Sequence, residues 1–221
     1  ESLIIEYIEG KTLDKIQLDK ISDEDRFYII IQIMIIIEYL QFHGFVYRDL
    51  KPNNLIVDRN NNIKLIDFDQ AVYLMEDAKK DLQVTKDFNS DYASPELTAN
   101  QENVHNSNKM DVFSIGVLIY FIFFNETPKI GRKDQSNVEN YSFDKFSYSY
   151  PLIKTVCENC TETNPENRPS ITKLIDFFFN YFYIFNSNDK PPKIKNNIQE
   201  YIFSPQWIQQ EELLKSLFNK K

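Results

Sequence analysis

The stretch Tyr47-Arg48-Asp49-Leu50-Lys51-Pro52-Asn53-Asn54-Leu55-Ile56, continued by Ile66-Asp67-Phe68-Asp69, decides how this chain is read. Pro52 and the paired Asn53 and Asn54 interrupt any regular period, so residues 47–54 read as a loop. Apolar residues resume at 55–57 and again at 63–66, on either side of Asp58-Arg59-Asn60-Asn61-Asn62. Two short apolar runs joined by Asp/Asn turn chemistry predict a β-hairpin. An aspartate with a lysine two residues on and an asparagine five residues on therefore sits on a loop, with a second aspartate just past the hairpin.

Upstream of this loop, Leu3-Ile4-Ile5-Glu6-Tyr7-Ile8 reads as a buried strand ended by Glu9-Gly10, and Leu13, Ile16 and Leu18 imply a short helical or irregular piece. Ser22-Asp23-Glu24-Asp25 is a helix N-terminus with acidic first-turn residues, and apolar sequence then runs to Phe42 before His43-Gly44 stops it. The isoleucine-rich centre favours strand, but twenty residues without a turn signal predict a buried helix. Downstream, residues 69–108 are polar and aperiodic, which reads as a functional or regulatory loop. Residues 112–124 are apolar on every face and predict a helix at the centre of the core. After a polar, Ser/Asn-rich loop, helices are expected near residues 151–160 and 169–185. Asp189-Lys190-Pro191-Pro192 reads as a linker, and residues 205–218 as an amphipathic helix. The expected division is a domain over residues 1–185 and a linker with tail helix over 186–221.

With 42% hydrophobic and 26% charged residues, the 221-residue chain has ordinary globular composition, which excludes collagen-like, disordered and disulfide-dense classes. A net charge of −8 argues against nucleic acid or an anionic membrane as the main partner. The apolar runs at 27–37 and 115–124 fall short of the roughly 20 residues a bilayer span needs, so no membrane span is expected. Cys157 and Cys160 supply at most two of the four ligands of a structural zinc, and three-residue spacing on a helix packs both into the core. His43 reads as a helix-end residue and not a base. Trp207 and the phenylalanines of 177–185 read as core or docking surface.

The spacing around Asp49 has a chemical meaning. Phosphoryl transfer from ATP to a hydroxyl needs a carboxylate for the hydroxyl proton, a cation at the γ-phosphate, and an amide oxygen and a carboxylate for Mg²⁺. At these residues the sequence resembles the eukaryotic protein kinases, whose signature runs HRDLxxxxN, then DFG, then APE. Ser94-Pro95-Glu96 stands where that family has APE, Asp111-Val112-Phe113-Ser114-Ile115-Gly116 where it has DxWSxG, and Asn164-Pro165-Glu166-Asn167-Arg168-Pro169 where it has DPxxRP. The resemblance covers residues 3–185.

The resemblance implies an α+β, mainly α fold, a kinase C-lobe with its hinge and a short β-hairpin at the catalytic loop. Carried over position by position, it implies Asp49 as catalytic base, Lys51 as the γ-phosphate contact, and Asn54 and Asp67 as Mg²⁺ ligands. The hinge backbone at Glu6 and Ile8 would bond adenine, with Ile56 beneath the ring and Ile5 as gatekeeper. Glu96 and Arg168 would form a buried ion pair anchoring the activation segment, and Asp111 would brace the catalytic-loop backbone. Lys51 resembles the Ser/Thr branch. Thr85, eleven residues before Glu96, lies at the offset of an activating phosphothreonine that Arg48 would bind. ATP, Mg²⁺, protein substrates and an intracellular, cytoplasmic location follow from the same resemblance.

Four departures qualify it. No GxGxxG can be drawn from Gly10, Gly44, Gly116 and Gly131, and no β3 lysine or partner glutamate precedes the hinge, so the chain reads as C-lobe plus hinge, either a fragment of a larger kinase or the product of a truncated gene. Asp69 replaces the glycine of DFG, exchanging backbone freedom for a negative charge. Tyr47 replaces the histidine of HRD and can still stack on Phe68. Phe88-Asn89 replaces the usual Gly-Thr. Two readings stay open: a Ser/Thr kinase completed by its N-lobe, or a pseudokinase or truncated kinase-like scaffold.

Overall fold

The computed structural model of the chain describes residues 6–74, 91–98, 107–132 and 139–185. The expected tail helix at 205–218, Trp207, the linker, Ile5, Thr85 and Phe88-Asn89 lie outside these residues. The chain divides into two compact units, residues 1–177 and 178–221.

Helix α1 spans Asp23–Phe42. Ser22 caps it, its Oγ accepting from the Asp25 amide at 3.1 Å, and three acidic residues in the first turn complement the helix dipole. Residues 27–34 are all buried, on every side of the helix. Length and capping thus overrule the strand propensity of isoleucine, since a buried helix satisfies its own backbone groups. Pro95–Thr98 forms the short helix α2. Helix α3, Lys109–Phe124, is buried without interruption from Met110 to Tyr120, and it ends where Asn125 takes a left-handed conformation with φ 53°. Helix α4, Pro151–Cys160, starts on a proline already shaped for a first turn. Helix α5 covers Ile171–Phe185.

α3 packs against both α1 and α4. Gly116 makes the second contact, because a Cβ there would lie 2.7 Å from Cys160 Cβ and 3.2 Å from the Cys157 carbonyl oxygen. Cys157 and Cys160 are free thiols buried in this seam, as their spacing predicted, and desolvation pushes the Cys160 thiol up to about 12. Aromatic rings fill the other side of α3, where Phe123 meets Phe27, Phe146 and Tyr150.

The sheets are small and antiparallel. Strand β1 is Lys11–Thr12, β2 Phe45–Val46, β3 Leu55–Val57, β4 Ile63–Leu65 and β5 Val72–Tyr73. β3 and β4 form the expected hairpin, pairing Leu55 with Leu65 and Val57 with Ile63. Asp58 Oδ1 holds the turn by accepting from the amides of Asn60 at 2.7 Å and Asn62 at 2.9 Å. α1 grips the same turn through buried Gln32, whose Nε2 donates to the Asn61 carbonyl at 2.8 Å while its Oε1 accepts from Ile63 N at 3.0 Å. β1 adds to the free edge of β3.

Three sequence expectations need correction. The described part of the expected strand at 3–8 is irregular, and Tyr7 is 87% exposed; among the described residues the first strand pairing is at Lys11. The polar loop at 69–108 contains β5, which pairs with β2. The Ser/Asn-rich loop after α3 contains strands β6, Lys129–Arg132, and β7, Glu139–Ser142, paired with each other.

The Gly116 contact is testable. Gly116→Ala gains about 1 kcal/mol of helix propensity but overpacks the α3–α4 seam at a cost of about 1–3 kcal/mol. The expected outcome is a net loss of stability, seen as a lower urea midpoint; a variant at least as stable as the parent would show that the seam yields freely.

Candidate active site

The site begins with backbone held in an unusual shape. Arg48 has φ 69° and Asp67 φ 61°, left-handed conformations that cost a residue with a side chain about 1–3 kcal/mol each. Asp111 on α3 supplies a compensating interaction at the first of them. Its carboxylate is fully buried and accepts from the Tyr47 amide at 2.9 Å and the Arg48 amide at 2.8 Å. Burial pushes its carboxyl up to about 6, against the pull of those two amides and of the Arg48 guanidinium. The brace expected of Asp111 is therefore present.

The loop then turns through Pro52 and Asn54 in a single 3₁₀ turn and gathers three polar side chains. Lys51 Nζ donates to both oxygens of Asp49, at 3.0 Å and 2.7 Å. Asn54, 5% exposed, donates from Nδ2 to the Asp49 carbonyl at 2.9 Å and to Asp49 Oδ2 at 2.8 Å. Its donor end is engaged on Asp49, which leaves its carbonyl oxygen as an acceptor.

Asp67 comes alongside through backbone bonding. The Ile66 amide donates to the Asn54 carbonyl at 3.0 Å, so the residue before Asp67 is tied to Asn54. Tyr47 grips the same place from within. Its buried hydroxyl donates to the Ile66 carbonyl, and its ring meets Phe68 edge-on with centroids 5.4 Å apart. Desolvation, with Asp49 and Asp67 nearby, holds that phenol well above the usual range. Asp67 and Asp69 are exposed, and the Asp69 amide lies 3.4 Å from Asp67 Oδ1. Residue 69 itself is not left-handed, so the glycine-like freedom expected at this position is needed at Asp67 instead.

On the other side of the hairpin, Glu6 is exposed and Ile8 and Ile56 are half-buried. Gly10 brings their segment against β3, since a Cβ there would lie 2.6 Å from both Ile56 Cγ2 and the Val57 carbonyl. Asp49, Lys51 and Asn54 are thus in direct contact and Asp67 is joined to them by backbone, whereas Ile56 lies two residues along the strand that leaves Asn54.

The expected ion pair is also present. Arg168, 2% exposed, bonds Glu96 through both terminal nitrogens, at 2.6 Å and 2.8 Å. It also donates to the carbonyls of Glu162 and Lys109 and lies over the Phe113 ring. His43 ends α1 as expected, with Nδ1 donating to the Tyr39 carbonyl at 2.9 Å. Sequence reading missed Gln32, the Tyr47 hydroxyl bond and Gly10. A lone glutamine inside an isoleucine run, and a glycine directly before a strand, were the available signals.

The protein kinase domain family matches residues 2–179 of the chain. The chain is 32% identical over 148 residues to the serine/threonine-protein kinase ppk34 of Schizosaccharomyces pombe, covering 65% of this chain and 41% of that protein. It is 32% identical over 176 residues to a probable serine/threonine-protein kinase, a KIN1 homologue of Enterocytozoon bieneusi, covering 78% of this chain and 27% of that protein. To the carbon catabolite-derepressing protein kinase of Saccharomyces cerevisiae it is 29% identical over 180 residues, covering 78% and 27%. The chain belongs to the protein kinase domain family, and the matches span less than half the length of these relatives.

The Asp111 brace predicts a pH signature. Its folded-state carboxyl titrates near 6 against an ordinary 3.8, so between those values the folded protein keeps a proton that the unfolded chain releases. Its contribution to stability accordingly grows as pH falls from 7 toward 4. Relative to Asp111→Asn, the parent should gain roughly 2–3 kcal/mol over that range in paired urea titrations. A difference independent of pH would contradict the buried ionised brace.

Proposed function

We propose that the chain is the hinge and C-terminal lobe of a protein kinase that transfers the γ-phosphate of ATP to Ser/Thr hydroxyls of proteins. The observation that carries this reading is the contact set of Asp49, Lys51 and Asn54, with the Ile66 amide bonded to Asn54 so that Asp67 follows alongside. The printed names of the relatives and the lysine at 51 support Ser/Thr acceptors.

In this reading Asp49 accepts the proton of the attacking hydroxyl, whose oxygen bonds to the γ-phosphorus as the bond to the β–γ bridging oxygen breaks and ADP leaves. Before ATP binds, the Lys51 ammonium is neutralised by Asp49. A γ-phosphate offers it a more strongly anionic partner, which frees an Asp49 oxygen for the hydroxyl proton. Asn54 holds the other side of the carboxylate and keeps it oriented.

The donor set suits Mg²⁺. Among the described residues no three His, Cys, Asp or Glu side chains converge as a cation site, but Mg²⁺ takes one or two carboxylates and completes its shell with phosphate oxygens and water. The Asn54 carbonyl oxygen and the exposed Asp67 carboxylate are the oxygens that would hold it. Bound there, it neutralises charge on the β- and γ-phosphates. Glu6 and Ile8 would bond adenine through their backbone, Ile56 would lie beneath the ring and Ile5 would be the gatekeeper. The phosphate-holding glycine-rich loop and lysine–glutamate pair do not occur in these residues, and the reading assigns them to an N-terminal lobe of the parent protein. Residues 186–221 are assigned to a linker and tail, and the parent to the cytoplasm. No helix among the described residues is long and apolar enough to cross a membrane.

Full-length protein tests the assignment. Asp49→Asn is expected to abolish phosphate transfer while leaving Mg·ATP affinity within a few fold, and Asp67→Asn to weaken Mg·ATP binding itself. Transfer at the parent rate with asparagine at 49 would remove Asp49 as the base.

A further inference from the structure

Asp67 and Asp69 occupy one turn. The Asp69 amide lies 3.4 Å from Asp67 Oδ1, so the backbone of residue 69 lies against the first carboxylate. Both residues are exposed, and among the described residues neither takes part in an ion pair. The cations near this turn are otherwise engaged: Lys51 bonds Asp49, and Arg48 Nε donates to the Gln70 carbonyl at 2.6 Å.

The left-handed residue of the turn is Asp67, with φ 61°, and residue 69 has no positive φ. A side chain at 69 therefore imposes no backbone strain, and what distinguishes Asp69 from glycine is its charge. Two uncompensated carboxylates at the mouth of a triphosphate site repel the nucleotide and attract a divalent ion. A unit charge within a Debye length of a divalent ion in a water-like medium, partly screened by salt, changes its affinity about three- to tenfold.

We propose that Asp69 makes nucleotide binding conditional on the divalent cation, by tightening the cation at Asp67 and repelling ATP that arrives without it. The proposal rests on the reading of Asn54 and Asp67 as the cation's ligands. Its effect is a steeper coupling between cation and nucleotide than Asp67 alone would give, so that ATP free of metal is rejected.

The test uses full-length protein and measures binding. Mn²⁺ alone is titrated with the free ion followed by electron paramagnetic resonance, and ATP is titrated by calorimetry in EDTA and again in excess Mg²⁺. Asp69→Asn keeps the shape and removes the charge; Asp69→Gly removes both; Asp67→Asn removes the proposed ligand. Asp69→Asn should loosen Mn²⁺ about three- to tenfold and tighten metal-free ATP by a similar factor, with an unchanged melting temperature. Asp69→Gly should match it, because charge and not backbone is at work. Asp69→Asn with both affinities within twofold of the parent overturns the proposal, as does a shift seen in Asp69→Gly alone. If Asp67→Asn leaves Mg·ATP affinity unchanged, the ligand reading falls and the proposal with it. If Asp67→Asn weakens Mg·ATP while Asp69→Asn changes nothing, the proposal alone falls.

Discussion

Asp111 reaches from the most deeply buried helix of the fold to the amides of Tyr47 and Arg48, and the geometry of the site depends on that reach. An ionised carboxylate inside a protein is costly unless its oxygens are satisfied. Here the two amides come from consecutive residues, and Arg48 presents its amide from a left-handed backbone. Each element compensates for the other: the carboxylate offsets the strain at Arg48, and the strained loop offsets the burial of the carboxylate. Asp49 leaves the brace one residue later, so its position is set before any contact of its own side chain.

The rest of the first unit serves to keep Asp111 in place. α3 is apolar on every face beyond Ser114, and its only glycine lets α4 close against it over the two cysteines. Arg168 bonds the carbonyl of Lys109 in the first turn of α3 and clamps Glu96 with the same guanidinium. A buried guanidinium with carbonyl and carboxylate partners tolerates little displacement, because losing either partner exposes an uncompensated charge. The segment at 94–97 and the start of α3 are therefore fixed to each other by one side chain. On the far side, Gln32 ties the hairpin to α1, and the Ile66 amide ties the hairpin's exit to Asn54. The proposed base and the proposed cation ligand are thus held by two separate anchors, one on α3 and one on α1.

Much of this arrangement is legible in the sequence, for identifiable reasons. α1 is readable from Ser22, its acidic first turn and twenty residues without a breaker. The hairpin is readable from Asp58 and the three asparagines, because that turn makes its bonds locally. α3 is readable as central because no face of it is polar. The cluster at 47–54 is readable as a motif, since its chemistry needs fixed spacing, whereas the Glu96–Arg168 pair is readable only through the family resemblance. What escapes is non-local. β2 and β5 are two residues each and are joined across more than twenty positions, too short for any alternation to register. β6 and β7 lie in a polar stretch whose pairing is not dictated by a buried face. Residues 6–8 look like a strand by composition, but a strand exists only with a partner, and among the described residues the first pairing is at Lys11. The left-handed turn falls at Asp67 and not at position 69, which the sequence does not announce because aspartate stands at both positions; Ile66, just before the turn, is held by the Asn54 carbonyl and the Tyr47 hydroxyl.

The dependence of the site on Asp111 is tested most directly by amide hydrogen exchange at Tyr47 and Arg48 in the parent and in Asp111→Ala, with the central amides of α1 as an internal reference. Both amides should exchange slowly in the parent and lose protection roughly 10- to 100-fold in the variant, as expected when a hydrogen bond to a charged group is removed, while α1 stays protected. Unchanged protection at Tyr47 and Arg48 in a folded Asp111→Ala protein would contradict that dependence.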